Sequence, residues 1–189
     1  MVDYPKASWK PSLFYNTPKA PRTVRAIIIH TAQCQETASA AEGVANWFMD
    51  PRAKVSAHFC VDNDSVVQCV LERNVAWHAS QANPWAIGIE LAGKAEQTAA
   101  QWADAYSVAV LDNAARLVAD ICLRHDIPVV WLTPEQLKAG RAGIAGHVDV
   151  TAAFNGGKGH WDPGPSFPRE AFLELVAKYT GAPPPDIAA

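Results

Sequence analysis

The amino-acid sequence predicts an α/β fold, a single domain in which one central mixed β-sheet is flanked by helices. Of the 189 residues, 49% are apolar and 19% are charged, a balance typical of one globular domain with a substantial core. Short β-branched runs alternate with longer segments of helical periodicity, in the order β-α-β-β-β-α-β-α. That alternation favours helices packed against a sheet over an all-helical or all-strand fold.

The individual elements follow from periodicity and from turn residues. Residues 24–29 (VRAIII) are rich in β-branched side chains and predict a buried strand that ends at His30. Asn63-Asp64 predicts the turn of a hairpin. The other strands are predicted at 55–61, 66–70, 86–91 and 127–131, and the helices at 38–49, at 99–125, from 133 onward and at 170–179.

The two ends of the chain differ in composition from its middle. Residues 1–22, rich in proline, lysine and aromatic side chains, predict an extended N-terminal arm, and residues 181–189 (GAPPPDIAA) predict a proline-rich tail or linker stub. The folded domain is therefore expected over 23–180. The first residues lack the basic start and apolar stretch of a secretory signal, so we expect a protein without a signal peptide.

Charge, hydropathy and cysteine content exclude several function classes. A net charge of −3 argues against nonspecific nucleic-acid binding, which needs a basic face. No run of about eighteen apolar residues is present, so no membrane insertion is expected. Cys34, Cys60, Cys69 and Cys122 form no C-x-x-C pair and are predicted to be reduced and mostly buried. Cys60 and Cys69 would be diagonal neighbours across the hairpin, about 7 Å apart, which is long for a disulfide.

One segment concentrates the residue types of a metal or catalytic site. Residues 146–168 (GHVDVTAAFNGGKGHWDPGPSFP) hold His147, His160 and Asp162 among five glycines. This glycine and proline content predicts an ordered loop rather than a helix or a central strand. His30, at a strand end, could join them or could simply cap its strand by hydrogen bonding. Two imidazoles and one carboxylate, with a fourth position open, would form the pattern of a catalytic zinc site.

Six short motifs in a fixed order give the chain a specific resemblance. They are IIIHTA (27–32), VSAHFCVDND (55–64), AWHAS (76–80), NPWAIGIELAG (83–93), AGHVDV (145–150) and HWDPGPSFP (160–168). Together they resemble the zinc-dependent N-acetylmuramoyl-L-alanine amidases, which include phage lysins of the T7 lysozyme type, bacterial anhydro-muropeptide amidases and the peptidoglycan recognition proteins. The resemblance implies the α/β fold of that family, with 23–180 as a zinc amidase domain.

The resemblance also implies a site and a reaction. His30, His147 and Asp162 would hold one zinc ion per chain, and Glu90, in IGIEL, would act as general base towards a water at the metal. A solvated strand end is the alternative for Glu90. The substrate would be peptidoglycan, cleaved at the amide between N-acetylmuramic acid and L-alanine.

Substrate-binding residues are implied in the loop after the hairpin. His78, in AWHAS, with Trp77 and Asn83 beside it, would contact the sugar or the stem peptide, and a structural histidine is the alternative for His78. His58 shares a strand face with Cys60 and is expected to be buried and hydrogen-bonded, with a second metal site as its alternative.

Two positions depart from the pattern of relatives. Many relatives carry lysine two residues before the third ligand, where this chain has His160. The imidazole could donate a hydrogen bond to the developing oxyanion instead, could bind zinc itself, or could only cap the loop. Relatives of the phage T7 type carry a tyrosine where this chain has Ala57, which leaves the general-base role to Glu90, as in the anhydro-muropeptide branch.

Two other functions fit the same motifs. A recognition module would hold a muropeptide without cleaving it, and a zinc peptidase would cut the stem peptide. The complete ligand set and Glu90 favour the amidase. The expected setting is that of a phage endolysin, a monomer that stays in the host cytoplasm until it is released to the cell wall. A bacterial cytoplasmic amidase is the alternative.

Overall fold

The fold comes from a computed structural model that describes residues 2–181, so positions 182–189 of the predicted tail lie outside the described residues. The strands are β1 (Ser8–Trp9), β2 (Tyr15–Asn16), β3 (Ala26–Thr31), β4 (Phe59–Val61), β5 (Val66–Gln68), β6 (Val75–Ala76), β7 (Ala86–Leu91) and β8 (Gly143–Gly146). The helices are α1 (Ala40–Phe48), α2 (Ala99–Trp102), α3 (Ala105–His125), α4 (Pro134–Lys138), α5 (His147–Phe154) and α6 (Arg169–Thr180), and a 3-10 helix (Ser80–Trp85) precedes β7.

The central sheet is mixed, as predicted, with strand order β1-β5-β4-β7-β3-β8. The hairpin strands β4 and β5 pair antiparallel, and the other neighbours pair parallel. Ile27 and Ile29 of β3 belong to a core that includes α3 and α6, whereas Ile28 packs with residues of α4 and α5 on the opposite face. Because both faces of β3 are covered, residues 26–29 of this strand form a continuous apolar run.

Capping residues set where several helices begin and end. The helical pattern predicted over 99–125 forms two helices, because Asp104 caps α3 with its side chain, which accepts a hydrogen bond from the Ser107 backbone N at 2.8 Å. Thr133 caps α4 in a reciprocal capping box with Gln136, as the Thr-Pro start predicts. Gly181 follows α6 with a φ of 72°, a common way for a helix to end. Within residues 2–181, no helix combines the length and the hydropathy needed to cross a lipid bilayer.

The strand predictions were wrong at the far edge of the sheet. The strand predicted over 127–131 reduces to a single bridge between Trp131 and Ile144, and β8 was not predicted. The β8 sequence GIAG has one β-branched residue and two glycines, so local propensity does not indicate a strand. Gly143 is nevertheless required there, because an added Cβ would lie 2.8 Å from the Leu132 side chain and 2.9 Å from the Val130 carbonyl oxygen.

The glycine-rich segment 146–168 is not wholly a loop, which corrects the prediction. Its first part forms α5 (His147–Phe154), and the remainder, from 155 to 168, is irregular. All the glycines and prolines of the segment lie outside those eight helical residues. Gly146 precedes the helix, and its backbone N donates to Asp149 Oδ2 at 2.8 Å. The composition of the whole segment therefore concealed a short helix in its first third.

The N-terminal segment 2–22 lies against the rest of the chain. Its strands β1 and β2 pair with β5 and β6. Between them, the Ser12 backbone N donates to the Cys69 carbonyl at 2.8 Å, and the Leu13 N donates to the Phe48 carbonyl at 3.1 Å. The arm therefore links the hairpin to the end of α1.

All four cysteines are free, as predicted. Cys60 faces Val67 across the hairpin, and its Sγ lies 3.8 Å from Sγ of Cys69. Burial raises the pKa of the Cys60 thiol, and it raises the pKa of Cys122 to about 12. These thiols are therefore held in their unreactive, protonated form.

A buried ion pair at the end of α3 makes stability depend on pH. Glu72 is 4% exposed and accepts hydrogen bonds from Arg124 Nη2 and from His125 Nε2, both at 2.7 Å. Burial alone would raise the pKa of Glu72, but the bonds from Arg124 and His125 outweigh it and hold the pKa at about 2. Because this value lies below the ordinary 4.5, the ion pair stabilises the fold fully above about pH 4.5 and is lost as the pH falls towards 2.

We therefore expect Glu72→Gln to lower the free energy of unfolding at pH 7 by about 2 kcal/mol, since it weakens the charge-assisted hydrogen bonds from Arg124 and His125. Urea unfolding at several pH values measures this loss. The difference from wild type should shrink between pH 4.5 and 2, where the Glu72 carboxyl takes up a proton. A constant difference across that range would contradict the assignment.

Candidate metal centre

Parallel strand pairing places the two candidate histidines side by side. Strands β3 and β8 are neighbours, with Ile29 opposite Gly146. The next residues are His30, still on β3, and His147, the first residue of α5, so both imidazoles leave the same edge of the sheet. Their ring centroids lie 4.6 Å apart. The carboxyl ends of parallel strands are a common place for ligand sites.

Asp162 completes the group from the irregular part of the segment. Its carbonyl oxygen accepts a hydrogen bond from the Val148 N of α5 at 2.9 Å. The chain turns at Gly164, whose φ of 93° is one that glycine adopts easily. A side chain would not fit there, because an added Cβ would lie 1.9 Å from the Ala95 carbonyl oxygen. The carboxylate then lies between the two imidazoles, with Oδ2 3.1 Å from His30 Nδ1 and Oδ1 3.3 Å from His147 Nδ1.

The donor set fits a zinc ion. One ligand atom from each of His30, His147 and Asp162 lies within 4.8 Å of the others, and all three residues are buried. Two imidazole nitrogens and one carboxylate oxygen are ligands that zinc accepts, and three protein ligands leave one position open, as catalytic centres require. Over residues 2–181, this is the one group of His, Cys, Asp and Glu side chains close enough together to hold a metal ion.

The protonation states of the group also suit metal binding. Burial alone would raise the pKa of Asp162, but the hydrogen bonds with His147 and His30 outweigh it and hold the pKa well below its usual range. Burial lowers the pKa of His147; Asp162 opposes this shift, and the neighbouring His30 adds to it. An ionised carboxylate and a neutral imidazole are the forms that ligate metals.

Glu90 stands beside His30 on the neighbouring strand. In the pairing of β7 with β3, Glu90 lies opposite His30, and Cys60 of β4 lies opposite Glu90 on its other side. Neighbours in register point to the same face of a sheet, about 5 Å apart. Burial raises the pKa of Glu90 to about 8; the negative charge of Asp162 adds to this shift and His147 opposes it. Glu90 also lines the cleft at the metal centre, so its carboxyl group can exchange protons with a molecule bound there.

The metal centre opens into a cleft of about 270 Å³. Five of the residues that line the cleft form an apolar wall, contributed by α1, the loop after it, and the loop after β6: Val44, Trp47, Phe48, Val55 and Trp77. Trp47 and Val55 are 45% and 44% exposed. The sequence did not indicate either as a cleft residue, because their place in the same cleft as His30 depends on long-range packing.

His160 lies at the rim of the cleft, outside the group of three. Its side chain is 71% exposed, and its ring stacks on His147 with centroids 4.2 Å apart and planes 13° apart. Its Nδ1 is 3.7 Å from Asp162 Oδ1. Burial and the neighbouring His147 lower the pKa of His160, and Asp162 opposes this shift. The ring is thus held against a candidate ligand while it faces the cleft.

The three residues implied for substrate binding occupy different places. Trp77 lies at the rim of the cleft, 36% exposed. His78 also lines the cleft, but its Nδ1 lies 3.0 Å from His30 Nε2. Asn83 lies behind them, and its Oδ1 accepts hydrogen bonds from the backbone N of His78 at 3.1 Å and of Ala79 at 2.7 Å. Asn83 therefore shapes the loop that carries the other two.

His58 is buried and hydrogen-bonded, as predicted. It is 0% exposed, its Nδ1 accepts a hydrogen bond from Gly88 N at 3.0 Å, and its Nε2 donates to the Asn74 carbonyl at 3.2 Å. Burial first, and then the charge of Arg22, lower the pKa of His58 to about 3, so the ring is neutral. Both nitrogens are occupied, which leaves none for a metal ion.

Two sequence comparisons agree with each other. The family described as "N-acetylmuramoyl-L-alanine amidase" matches residues 20–165 of the chain. N-acetylmuramoyl-L-alanine amidase A of Achromobacter lyticus is 30% identical over 190 residues, which cover 96% of this chain and 99% of that relative.

Solved structures share the fold over most of its length. The crystal structure of a selenomethionine AmpD derivative aligns with a TM-score of 0.68 and 22% identity, over 93% of this chain and 99% of that one. A mutant endolysin from Bacillus subtilis aligns with a TM-score of 0.61 and 20% identity, over 93% and 99% of the two chains. At these identities the likeness concerns the fold.

Proposed function

The chain belongs to the N-acetylmuramoyl-L-alanine amidase family, and on that premise we propose that it hydrolyses the amide between N-acetylmuramic acid and L-alanine in peptidoglycan with one zinc ion per chain. The family supports the amidase activity and the substrate class. The observation that supports the zinc requirement is the buried group of His30, His147 and Asp162. Glu90 lies opposite His30 on the neighbouring strand.

Each residue of the group has a chemical task in the proposed reaction. Zinc bound by the three ligands would polarise the amide carbonyl and lower the pKa of a water molecule towards about 7. Glu90, in its ionised form, takes a proton from the attacking water and returns it to the nitrogen of the leaving L-alanine. The water oxygen bonds to the carbonyl carbon, the C–N bond breaks, and both protons of the water end on the leaving nitrogen, so that the products are a lactyl carboxylate and the ammonium group of L-alanine.

A thiol nucleophile is not part of this proposal. Cys34 is the cysteine nearest in sequence to His30, yet it is absent from the residues that line the cleft. Burial raises the pKa of Cys34, which disfavours the thiolate, the reactive form.

We propose that the apolar wall of the cleft receives the substrate beside the scissile amide. Trp47 and Trp77 are partly exposed indoles that line this wall, and such rings offer flat apolar surfaces on which a sugar ring can pack. His78 borders the same space, and Asn83 acts through the loop that it holds. Trp77→Ala should therefore raise KM for a muropeptide more than it lowers kcat, and an unchanged KM would contradict this contact.

Zinc content and reaction products of the wild-type protein test the proposed function. One zinc per chain and new L-alanine amino groups from digested peptidoglycan are expected, with activity lost on chelation and restored by zinc. Zinc bound without new amino groups would favour the recognition module. New amino termini on other residues would favour the stem-peptide zinc peptidase, and a protein without zinc would contradict the metal site.

His160 is proposed to donate a hydrogen bond to the amide oxygen as negative charge develops there. We expect His160→Ala to lower kcat about 100-fold, the usual effect of removing one such donor. Zinc content should not change, because the ring lies outside the group of ligands. His160→Lys restores a donor of the kind that many relatives carry here and should recover most of the activity. Loss of zinc from His160→Ala would instead identify His160 as a ligand, and full activity would leave it as a cap of the loop.

The biological setting that we propose is that of a phage endolysin, a monomer that is held in the host cytoplasm until it is released to the cell wall. The net charge of −3 accords with a partner other than nucleic acid. A bacterial cytoplasmic amidase is the alternative. Rates on intact cell walls and on soluble muropeptides separate the two, because an endolysin must act on intact walls. Size-exclusion chromatography tests whether the protein is a monomer in solution.

A further inference from the structure

His78 is bonded to a candidate metal ligand. Its Nδ1 lies 3.0 Å from Nε2 of His30, and the two rings meet edge to face, with centroids 5.2 Å apart and planes at 89°. The other nitrogen of His30, Nδ1, faces Asp162 at 3.1 Å. His30 therefore directs one nitrogen to the metal centre and the other to His78.

This arrangement determines which atoms carry protons when His30 ligates a metal. A metal at Nδ1 uses the lone pair of that atom, so the single proton of the neutral ring is on Nε2 and is donated to Nδ1 of His78. His78 then carries its own proton on Nε2. Histidine ligands generally donate their second N–H to a carboxylate, a carbonyl or a water, which fixes the orientation of the ring. In this chain a second imidazole takes that place.

Three neighbours hold the ring of His78 for this bond. Gly88 of β7 leaves room for it, because an added Cβ would lie 2.5 Å from Cγ of His78. Asn83 holds the backbone, with its Oδ1 3.1 Å from His78 N. The His58 ring packs edge to face at a centroid distance of 5.8 Å, and Gly88 N donates to its Nδ1. The strand β7, the loop and His58 thus together confine the ring.

The other nitrogen of His78 makes no competing hydrogen bond within residues 2–181. Nε2 is buried and has no hydrogen-bond partner in the described part of the chain. The side chain is therefore oriented through Nδ1, towards His30, and its position is not explained by bonds to the loop that carries it.

We propose that His78 is a positioning residue that accepts the hydrogen bond of His30 Nε2 and so holds His30 Nδ1 towards the metal. This inference rests on the proposed zinc function of His30. It assigns His78 an effect on metal affinity in addition to any contact with substrate, and it makes Gly88 a necessary part of the metal centre although Gly88 has no side chain to offer.

Zinc affinity, measured by competition with a chromophoric chelator, tests this role independently of activity. We expect His78→Ala to weaken zinc binding about 10- to 100-fold, as is typical when the hydrogen-bond partner of a ligand is lost. His78→Asn places an amide oxygen near the position of Nδ1 and should restore most of the affinity. In cobalt-substituted protein, the visible absorption spectrum should change in His78→Ala and return towards that of wild type in His78→Asn.

Two further variants separate positioning from general damage. Gly88→Ala presses on the ring from β7 and should weaken zinc binding although His78 is still present. His125→Ala removes a histidine that contacts Glu72 and does not line the cleft, and it should bind zinc as wild type does. Circular dichroism establishes that each variant is folded. If His78→Ala does not fold, the zinc affinities of His78→Asn and Gly88→Ala test the positioning role instead.

The result that would overturn the positioning role of His78 differs from the result that would overturn the proposed function. Wild-type affinity in His78→Ala, or affinity in His78→Asn as weak as in His78→Ala, would overturn the positioning role alone. Wild-type protein that binds no zinc would overturn the proposed function and this inference with it.

Discussion

Replacing Glu90 with glutamine is expected to lower the rate of amide hydrolysis by a factor on the order of 10²–10⁴ while the zinc content stays at that of wild type. A carboxamide has nearly the same shape as the carboxyl group but cannot take a proton from water. Glu90 lies opposite His30 on β7 and is not among the three ligands, so the metal centre should remain intact. The kcat on a muropeptide and the zinc content by atomic absorption measure the two effects.

A glutamate on the exposed surface provides the matched control. Glu174 lies on the exposed side of α6, away from the residues that line the cleft, and Glu174→Gln should have the activity of wild type. Activity of Glu90→Gln close to that of wild type would show that Glu90 is not the general base. Loss of zinc together with activity would make Glu90 part of the ligand set.

Asp162→Asn is expected to have the second large effect, the loss of zinc and of activity together. The carboxylate supplies the negative charge of the donor set, and its two oxygens face both imidazoles, at 3.1 and 3.3 Å. A neutral amide removes that charge and is a much weaker metal ligand than an ionised carboxylate. Zinc affinity should fall by more than the roughly 10- to 100-fold expected for residues behind the ligands. Calorimetric titration with zinc measures it.

The control for Asp162 is a buried aspartate in the same region. Asp149 accepts hydrogen bonds from Gly146 N at 2.8 Å and from Trp131 Nε1 at 2.9 Å and is not part of the donor group. Asp149→Asn should lower the thermal stability and retain zinc. If Asp162→Asn bound one zinc ion as tightly as wild type, the metal would have to be held by other residues.

Much of this protein could be predicted from local sequence. The β-branched run at 24–29 predicted a buried strand, and His30 lies on β3 near its end. The six motifs indicated the family that the comparisons show, and they nominated His30, His147 and Asp162, which the fold brings together. Residue chemistry and strand composition are local properties, and they are visible in a single sequence.

The errors occurred where local signals were weak. Strand β8 is four residues with two glycines, and α5 is eight residues inside a segment rich in glycine. Both elements are specified by what they contact. β8 pairs with β3, and α5 packs on the core beneath Ile28, so their propensities carried little information.

By itself, the sequence determined the fold class, the family and the set of candidate site residues. Only the tertiary structure decided the register that puts His30 opposite Glu90 and Ile29 opposite Gly146, and the contact between His30 and His78, which are 48 residues apart. Register between distant strands depends on the packing of both sheet faces, and a shift of one residue would turn every side chain to the other face. The distances within the site therefore follow from long-range packing, which no local pattern in the chain records.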